Sequence, residues 1–272
     1  MGYGAHSAPA VKAPKGGIGL PASLLVADAG TRQPYRPERS RAPGKTPSVR
    51  QTIRHKVAAS LHPALATTLK NPRLIIRHPI VLTTVGDGFA RRAAEEPETP
   101  WWNRRAIRYL SRHVRPGDRA FEWGSGGSTV WLARRGVSVT SIEHDREWVK
   151  KVIDRGPSAD VRLISGAAQG RLRPTAEEAY IANSQGFFDD YVAAIDILEE
   201  GSLDLVIVDG LCRMECVRRG ASKVKPGGIL IVDDTDYPFL DPAKVLPGWK
   251  AVGLWGFNGS LLRETTFFHR PK

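Results

Sequence analysis

The glycine-rich segment at residues 120–129 constrains the fold more than any other part of the chain. Its sequence, AFEWGSGGST, joins a short apolar stretch to three glycines within four positions. Residues 118–123 are bounded by turn-forming residues and predict a strand. Residues 124–127 let the backbone pass close to a bound molecule, and Ser128 or Thr129 is placed to N-cap a following helix. Because open α/β sheets bind ligands at the carboxyl ends of their strands, the segment predicts a small-molecule site.

The residues around the glycine turn indicate which ligand it binds. Thr129 stands where a dinucleotide fingerprint needs its third glycine, which disfavours an NAD-type oxidoreductase. Glu122 lies two residues before the first glycine, where its carboxylate can face the ammonium group of an amino-acid-like ligand. Glu143 follows a second apolar run, residues 137–142, in the position of an acid that binds ribose hydroxyls. The two acids together predict a nucleoside joined to an amino acid.

At this point the chain resembles the class I S-adenosylmethionine-dependent methyltransferases. Four landmarks occur in that family's order and cover roughly residues 100 to 270. They are Glu122-x-Gly124-x-Gly126, the strand end SIEHD at 141–145, the run LDLVIVDG at 203–210 and the run KPGGILIVDD at 225–234. The resemblance implies a Rossmann-like α/β fold with a seven-stranded, mostly parallel sheet. It also implies an antiparallel closing strand and helices on both faces of the sheet.

The same resemblance implies a set of residues that bind S-adenosyl-L-methionine. In the family the glycine loop holds the methionyl part, the acid after the second strand holds the ribose, and the end of the third strand lies near the adenine. Carried onto this sequence, the set is Glu122, Gly124, Ser125, Gly126, Gly127, Ser128, Glu143, His144, Gly166, Ala167 and Asp209. His144 could act as a base, but it directly follows the ribose-binding position and is expected near the adenosine.

Three carboxylates at the ends of strands four and five allow two interpretations. Asp209 ends the apolar run at 203–208, and Asp233 and Asp234 end the run at 229–232, so they could gather around Mg²⁺ or another divalent cation. This pattern is similar to that of the metal-dependent O-methyltransferases, with Asp209 and Asp234 as the catalytic candidates. The alternative is that Asp209 alone meets the cofactor region while the other two cap the next loop.

Two further residues are candidates for binding the methyl acceptor. Arg213 lies one turn beyond Asp209 and could meet an anionic acceptor, or it could be a solvated helix residue. Tyr191 belongs to a predicted helix at 187–199 and could touch the acceptor or pack in the core.

Residues 170–186 show no regular pattern. A turn at 226–228 is expected before strand five, and residues 248–257 and 263–269 are expected to form the closing antiparallel pair.

The charge of the chain is unevenly distributed and predicts three regions. The formal net charge is +12, and about half of the excess lies in residues 1–50, which are rich in Gly, Pro and Ala. We predict a disordered basic tail at 1–50, a helical extension and linker at 51–98, and a catalytic domain at 99–272. Residues 49–70 have apolar side chains at four-residue steps, so this helix could dock on the domain or touch an anionic membrane surface.

The predicted activity is transfer of a methyl group to the hydroxyl of a small molecule or sugar. The alternative is an RNA-binding protein or RNA methyltransferase that uses the basic N-terminal region. Cys212 and Cys216 are the only cysteines and are spaced four apart on a predicted helix, so they are expected to be buried thiols of a cytoplasmic protein. Peripheral contact with the inner face of the membrane remains open, and no oligomeric state is predicted.

Overall fold

The computed structural model describes residues 72–84, 98–156, 158–258 and 261–272. The disordered tail predicted at 1–50 and the amphipathic helix predicted at 49–70 lie outside these residues. Before the main domain the structure places helix α1 at Pro72–Arg77 and a 3₁₀ turn at Pro79–Thr84. Within the described ranges, no helix is both long enough and apolar enough to cross a bilayer.

Seven strands form one sheet in the order β3-β2-β1-β4-β5-β7-β6. The first five strands of the chain run parallel, whereas β7 pairs antiparallel with β5 and with β6. This arrangement confirms the predicted fold class. The strands are β1 Arg119–Trp123, β2 Ser138–Glu143, β3 Asp160–Leu163, β4 Leu203–Val208, β5 Val224–Val232, β6 Lys250–Asn258 and β7 Leu261–His269.

Helices cover both faces of the sheet and divide the core into two layers. One layer joins Trp102 and Leu110 of the N-terminal helical region to Leu132 and the sheet. The other joins Tyr191 and Val217 to Trp123 on the opposite face. The parallel strands are buried on both sides, which explains their nearly continuous apolar sequences. After α1 the helices are α2 Arg104–Ser111, α3 Gly127–Ala133, α4 Arg146–Ile153, α5 Ala176–Ile181, α6 Asp189–Ala193 and α7 Arg213–Lys223.

Three local expectations differ from the structure. The turn expected at 226–228 lies inside β5, where the register with β4 shifts and Gly227 adopts φ +78°. The helix expected at 187–199 is regular only over Asp189–Ala193. Residues 170–186 do hold a helix, α5, because Thr175 and Glu178 form a capping box at its start. The antiparallel closing pair is confirmed as β6 and β7.

Candidate active site

A cavity of about 510 Å³ opens at the carboxyl ends of β1, β2, β4 and β5. One wall is the glycine loop after β1 together with Glu143 and His144 after β2. The rest of the lining includes Asp209 after β4, next to the glycine loop, and Asp234 and Tyr237 after β5. This is the edge at which parallel α/β sheets bind ligands, because the strands end there and the loops diverge. The volume lies in the usual range for small-molecule sites.

The glycines of the loop serve different purposes. Gly124 has φ +92°, and a Cβ at this position would lie 2.6 Å from the carbonyl oxygen of Asp209. Gly127 packs against the backbone of Thr99 so closely that a side chain has no room. Gly126 is extended, and a Cβ there would meet only Trp148 Nε1, at 3.9 Å. Packing within the chain therefore requires Gly124 and Gly127, whereas at Gly126 the free space belongs to the cavity.

Glu122 is fully buried and faces away from the cavity. Its carboxylate accepts hydrogen bonds from the hydroxyls of Ser128, Thr129 (2.5 Å) and Ser141 (2.9 Å). Burial raises the pKa of Glu122 to about 7, although the three hydroxyls oppose this shift. Its carboxylate is thus occupied by the chain itself, beneath the glycine loop.

The hydroxyls near the start of α3 do not have the capping role expected of them. Gly126 is the N-cap residue of α3, and its N–H donates to Oγ1 of Thr129 at 2.9 Å. The prediction that Ser128 or Thr129 caps the helix is therefore wrong. Their hydroxyls donate to the carboxylate of Glu122 instead, and hydrogen bonds to a charged acceptor are stronger than those between neutral groups.

Glu143 connects the loops after β1 and β2, which together form one wall of the cavity. Its Oε2 accepts from the backbone N–H of Ser125 at 3.0 Å, and its Oε1 accepts from the N–H groups of His144 and Asp145. Nδ1 of His144 lies 2.8 Å from Oε1 of Glu143. Nε2 of His144 is buried and has no hydrogen-bond partner among the described residues. Both side chains line the cavity, so the structure brings the predicted ribose and adenosine residues together.

Besides Glu122, three predicted binding residues do not line the cavity. Gly166 packs against the ring of Phe188, and Ala167 pairs with Phe187 through backbone hydrogen bonds. Tyr191 is fully buried in the core, with its hydroxyl beneath Gly210. The structure therefore places Tyr191 as a packing residue and not as a contact for the acceptor.

The three carboxylates after β4 and β5 do come together. One oxygen from each of Asp209, Asp233 and Asp234 lies within 4.8 Å of the others. Asp209 accepts from Nε1 of Trp102 at 3.0 Å, and Asp233 accepts from the hydroxyl of Thr265 at 2.5 Å. Burial raises the pKa of Asp209 to about 6, with Arg213 acting to lower it, and burial also raises the pKa of Asp233 well above its usual range.

Arg213, the first residue of α7, lies between these carboxylates. Its guanidinium is 3.4 Å from both Asp209 and Asp234, and it donates to the carbonyl oxygens of Asp233 (2.6 Å) and Gly210 (3.0 Å). The residue is only 9% exposed, so the interpretation as a solvated helix residue is wrong. The acidic neighbours, above all Asp209, raise the pKa of Arg213 although burial opposes this.

The cluster as it stands does not fit a divalent cation. Mg²⁺ and Ca²⁺ bind carboxylate oxygens at about 2.0–2.6 Å and need several of them free of other strong donors. Here Arg213 contacts two of the three carboxylates, and Arg263 lies 3.4 Å from the second oxygen of Asp234. The positive charge that an ion would supply is already supplied by side chains.

Several residues at or near the cavity were not among the residues predicted from the sequence. Glu178 is buried and accepts from the backbone N–H of Arg213 at 2.9 Å. The pattern Thr175-x-x-Glu178 is a capping-box signature and could have revealed it. Trp101 and Trp148 meet edge to face at the cavity, with ring centres 5.6 Å apart. Tyr237 and Phe239 also line the cavity, and their position in an irregular loop offered no periodic signal.

The sheet order, with its antiparallel β7 inserted between β5 and β6, decides the fold. This order agrees with the architecture implied by the resemblance to the class I S-adenosylmethionine-dependent methyltransferases. The chain thus has the architecture that its four sequence landmarks predicted. No protein-family model matches the chain, and no curated protein matches it.

Solved structures similar to this chain include several methyltransferases. A methyltransferase-like protein from Silicibacter pomeroyi is 23% identical over 65% of this chain and 90% of that one, with a TM-score of 0.45. An O-methyltransferase from Bacillus cereus in complex with SAH is 15% identical over 76% and 97%, with a TM-score of 0.44. A Burkholderia thailandensis 1,6-didemethyltoxoflavin-N1-methyltransferase is 15% identical over 85% and 95%, with a TM-score of 0.41. At these identities the likeness concerns the fold and not the substrate.

Proposed function

We propose that the protein transfers a methyl group from S-adenosyl-L-methionine to the hydroxyl of a small molecule or sugar. One observation carries the proposal: a single cavity connects the glycine loop and Glu143 to the carboxylate of Asp209. The first wall suits a nucleoside bearing an amino acid, and the second suits a hydroxylated acceptor. A reaction between two bound molecules requires both to occupy one space.

The cofactor half fits the proposed ligand. The free space at Gly126 admits the methionyl part, which a larger side chain would exclude. Glu143 lies at the cavity wall for the ribose hydroxyls, and Nε2 of His144 is a buried polar atom that still needs a partner. When bound, the cofactor supplies a sulfonium methyl group that is transferred by in-line displacement.

The acceptor half offers a flat apolar surface beside a carboxylate. The rings of Tyr237 and Phe239 are stacked 5.2 Å apart at 14°, and Leu261 also lines this part of the cavity. A sugar ring or an aromatic ring can pack on such a surface. Because Arg213 and Arg263 are already paired with carboxylates, this wall binds a neutral hydroxyl compound more readily than the anionic acceptor considered for Arg213.

Asp209 is the residue that we assign to proton removal from the acceptor. Its pKa of about 6, raised by burial, leaves it charged and able to accept a proton at neutral pH. Asp234 lies beside it and shares Arg213 with it. The main contribution of the chain is positioning, since correct alignment of two bound reactants alone can lower a barrier by about 7–11 kcal/mol.

The RNA-binding alternative depends on residues 1–70, and the described residues do not bear on it. The cytoplasmic location, the peripheral membrane contact and the three-domain division also stay predictions. Metal assistance is the weaker version of the proposed reaction, because the carboxylates it needs already hold Arg213.

Calorimetric titration with S-adenosylhomocysteine tests the proposal directly. We expect the full chain to bind this ligand and not NAD. In Gly126→Val the new side chain occupies space in the cavity and leaves the packing within the chain unchanged. We therefore expect the affinity for S-adenosylhomocysteine to fall about tenfold or more, which corresponds to about 1.4 kcal/mol or more of binding free energy. Glu143→Ala should also lose affinity, through the ribose contact and the loosened loop.

Ser138→Val at the exposed start of β2 serves as the control and should bind like the parent. Thermal melts of each variant establish that it is folded. Unchanged binding of S-adenosylhomocysteine by folded Gly126→Val, or preferential binding of NAD by the parent, would overturn the proposal.

A further inference from the structure

The carboxylate cluster and the guanidinium inside it form one closed unit. Both oxygens of Asp234 face a guanidinium, with Oδ2 3.4 Å from Arg213 and Oδ1 3.4 Å from Arg263. Asp209 lies between Arg213 and the indole N–H of Trp102. Each carboxylate therefore has a donor from within the chain, and one cation, Arg213, contacts two of the three.

We propose that Arg213 is the resident cation of this cluster and takes the place that a divalent metal ion occupies in a three-carboxylate site. The site would then work without a metal, and removal of the guanidinium would convert it into a metal-binding site. The inference about cation binding stands apart from methyl transfer, whereas its consequence for catalysis rests on the proposed function.

Hydrogen bonds hold both the backbone and the guanidinium of Arg213 in place. Its backbone N–H donates to Oε1 of Glu178 at 2.9 Å, which holds the first turn of α7 in place. Its guanidinium donates to the carbonyl oxygens of Gly210 and Asp233, so the charged group cannot swing out without leaving buried acceptors unpaired. A guanidinium also stays protonated at any pH in which the protein is folded.

A metal ion would have to compete with this fixed charge. An ion bound to Asp209 and Asp234 at about 2.0–2.6 Å would lie within a few ångströms of a guanidinium that contacts the same two residues. Two like charges at that separation in a buried site repel strongly. Binding would require Arg213 to leave, and its anchors oppose that movement.

The arrangement has a consequence for the reaction. In a metal site the ion lowers the pKa of a bound hydroxyl, whereas here the proton of the acceptor must pass to a carboxylate. The guanidinium of Arg213 lies 3.4 Å from Asp209 and favours the charged form of the carboxylate that we assign to proton removal. Arg213 is thus a positioning residue that acts through Asp209.

Titration of the full chain with Mn²⁺, followed by electron paramagnetic resonance of the free ion, tests the inference. We expect no stoichiometric Mn²⁺ site in the parent. Arg213→Met, and Arg213→Gln as a more polar second variant, should each bind one Mn²⁺. We expect their affinity for Mn²⁺ to exceed that of the parent by a factor of about ten or more. Adding Asp234→Asn to Arg213→Met should abolish the gain.

Arg218→Met on the same helix is the matched control, because Arg218 is exposed and pairs only with Glu215 at the surface. It should bind Mn²⁺ no better than the parent. A Mn²⁺ site in the parent that Asp234→Asn removes would overturn the inference, and so would folded Arg213 variants without gain. If Arg213→Met does not fold, the Mn²⁺ affinities of Arg213→Gln and of the parent test the inference in the same way.

A parallel titration with S-adenosylhomocysteine in EDTA keeps the two proposals separate. If the parent does not bind S-adenosylhomocysteine even without EDTA, the methyltransferase function is contradicted and the Mn²⁺ result is unaffected. Binding that EDTA abolishes and Mg²⁺ restores would contradict the role of Arg213 while the function stands.

Discussion

Two acidic sites lie near the cavity, and the chain stabilises them differently. Beneath the glycine loop, the carboxylate of Glu122 accepts hydrogen bonds from three neutral hydroxyls. At the ends of β4 and β5, three carboxylates lie within 4.8 Å of one another, and the guanidinium of Arg213 contacts two of them. Hydroxyls suffice for one carboxylate, which can also relieve its burial by taking up a proton near pH 7. Three neighbouring carboxylates repel one another and require a cation.

The largest expected difference between the two sites concerns Arg213. Arg213→Met leaves buried carboxylates without their cation, so we expect the free energy of unfolding to fall by about 3–5 kcal/mol. Urea unfolding at neutral pH measures this change. Arg218→Met should stay within about 0.5 kcal/mol of the parent, since exposed ion pairs contribute little. Equal stability of the two variants would show that the cluster does not depend on its guanidinium.

The pH dependence of stability should reveal the site beneath the loop. Burial raises the pKa of Glu122 in the folded protein to about 7, above its value in the unfolded chain. The folded state therefore binds the proton more tightly, and stability from this group falls as the pH rises from about 4.5 to about 7. Between about pH 5 and about pH 8 the parent should lose about 2–3 kcal/mol more than Glu122→Gln.

Urea titrations of both proteins across this range measure the difference. Repulsion between Glu122 and Asp209 is present only in the parent, so it belongs to the difference that is measured. Parallel pH profiles for the two proteins would mean that Glu122 ionises normally despite its burial.

The smallest effect is expected from a single hydroxyl. Ser141 donates to Glu122 at 2.9 Å, and its oxygen lies 2.8 Å from the hydroxyl of Ser125 in the glycine loop. Ser141→Ala should lower the free energy of unfolding by about 1–2 kcal/mol, because a buried charged acceptor loses one of its donors. Ser138→Ala, at the exposed end of the same strand, is the control and should be neutral. A neutral Ser141→Ala would indicate that two hydroxyls are enough for Glu122.

The fold followed from the sequence because strand periodicity and strand ends are local signals. The run Leu203–Val208 forms β4 with the predicted bounds, since a strand buried on both faces is apolar throughout. Glu143 and Asp209 both line the cavity, because Glu143 is the last residue of β2 and Asp209 directly follows β4.

The contacts of the site could not be predicted in the same way, since they depend on residues distant in sequence. Glu122 points away from the ligand space because Ser141 of the neighbouring strand supplies a hydroxyl on that side. Arg213 enters the carboxylate cluster because Cys212 adopts φ +51° and redirects the chain into α7. No periodic pattern in the sequence encodes such a cysteine conformation, nor the stacking of Tyr237 on Phe239.

The close packing of Gly127 against Thr99 has a mechanical consequence. Thr99 lies where the upstream segment joins the domain, and its neighbour Glu98 is tied by an ion pair to Arg134 just beyond α3. Any pull on the chain ahead of residue 98 is thereby transmitted to the loop that borders the ligand. A displacement of residues 98–99 would thus shift the loop without any contact inside the cavity.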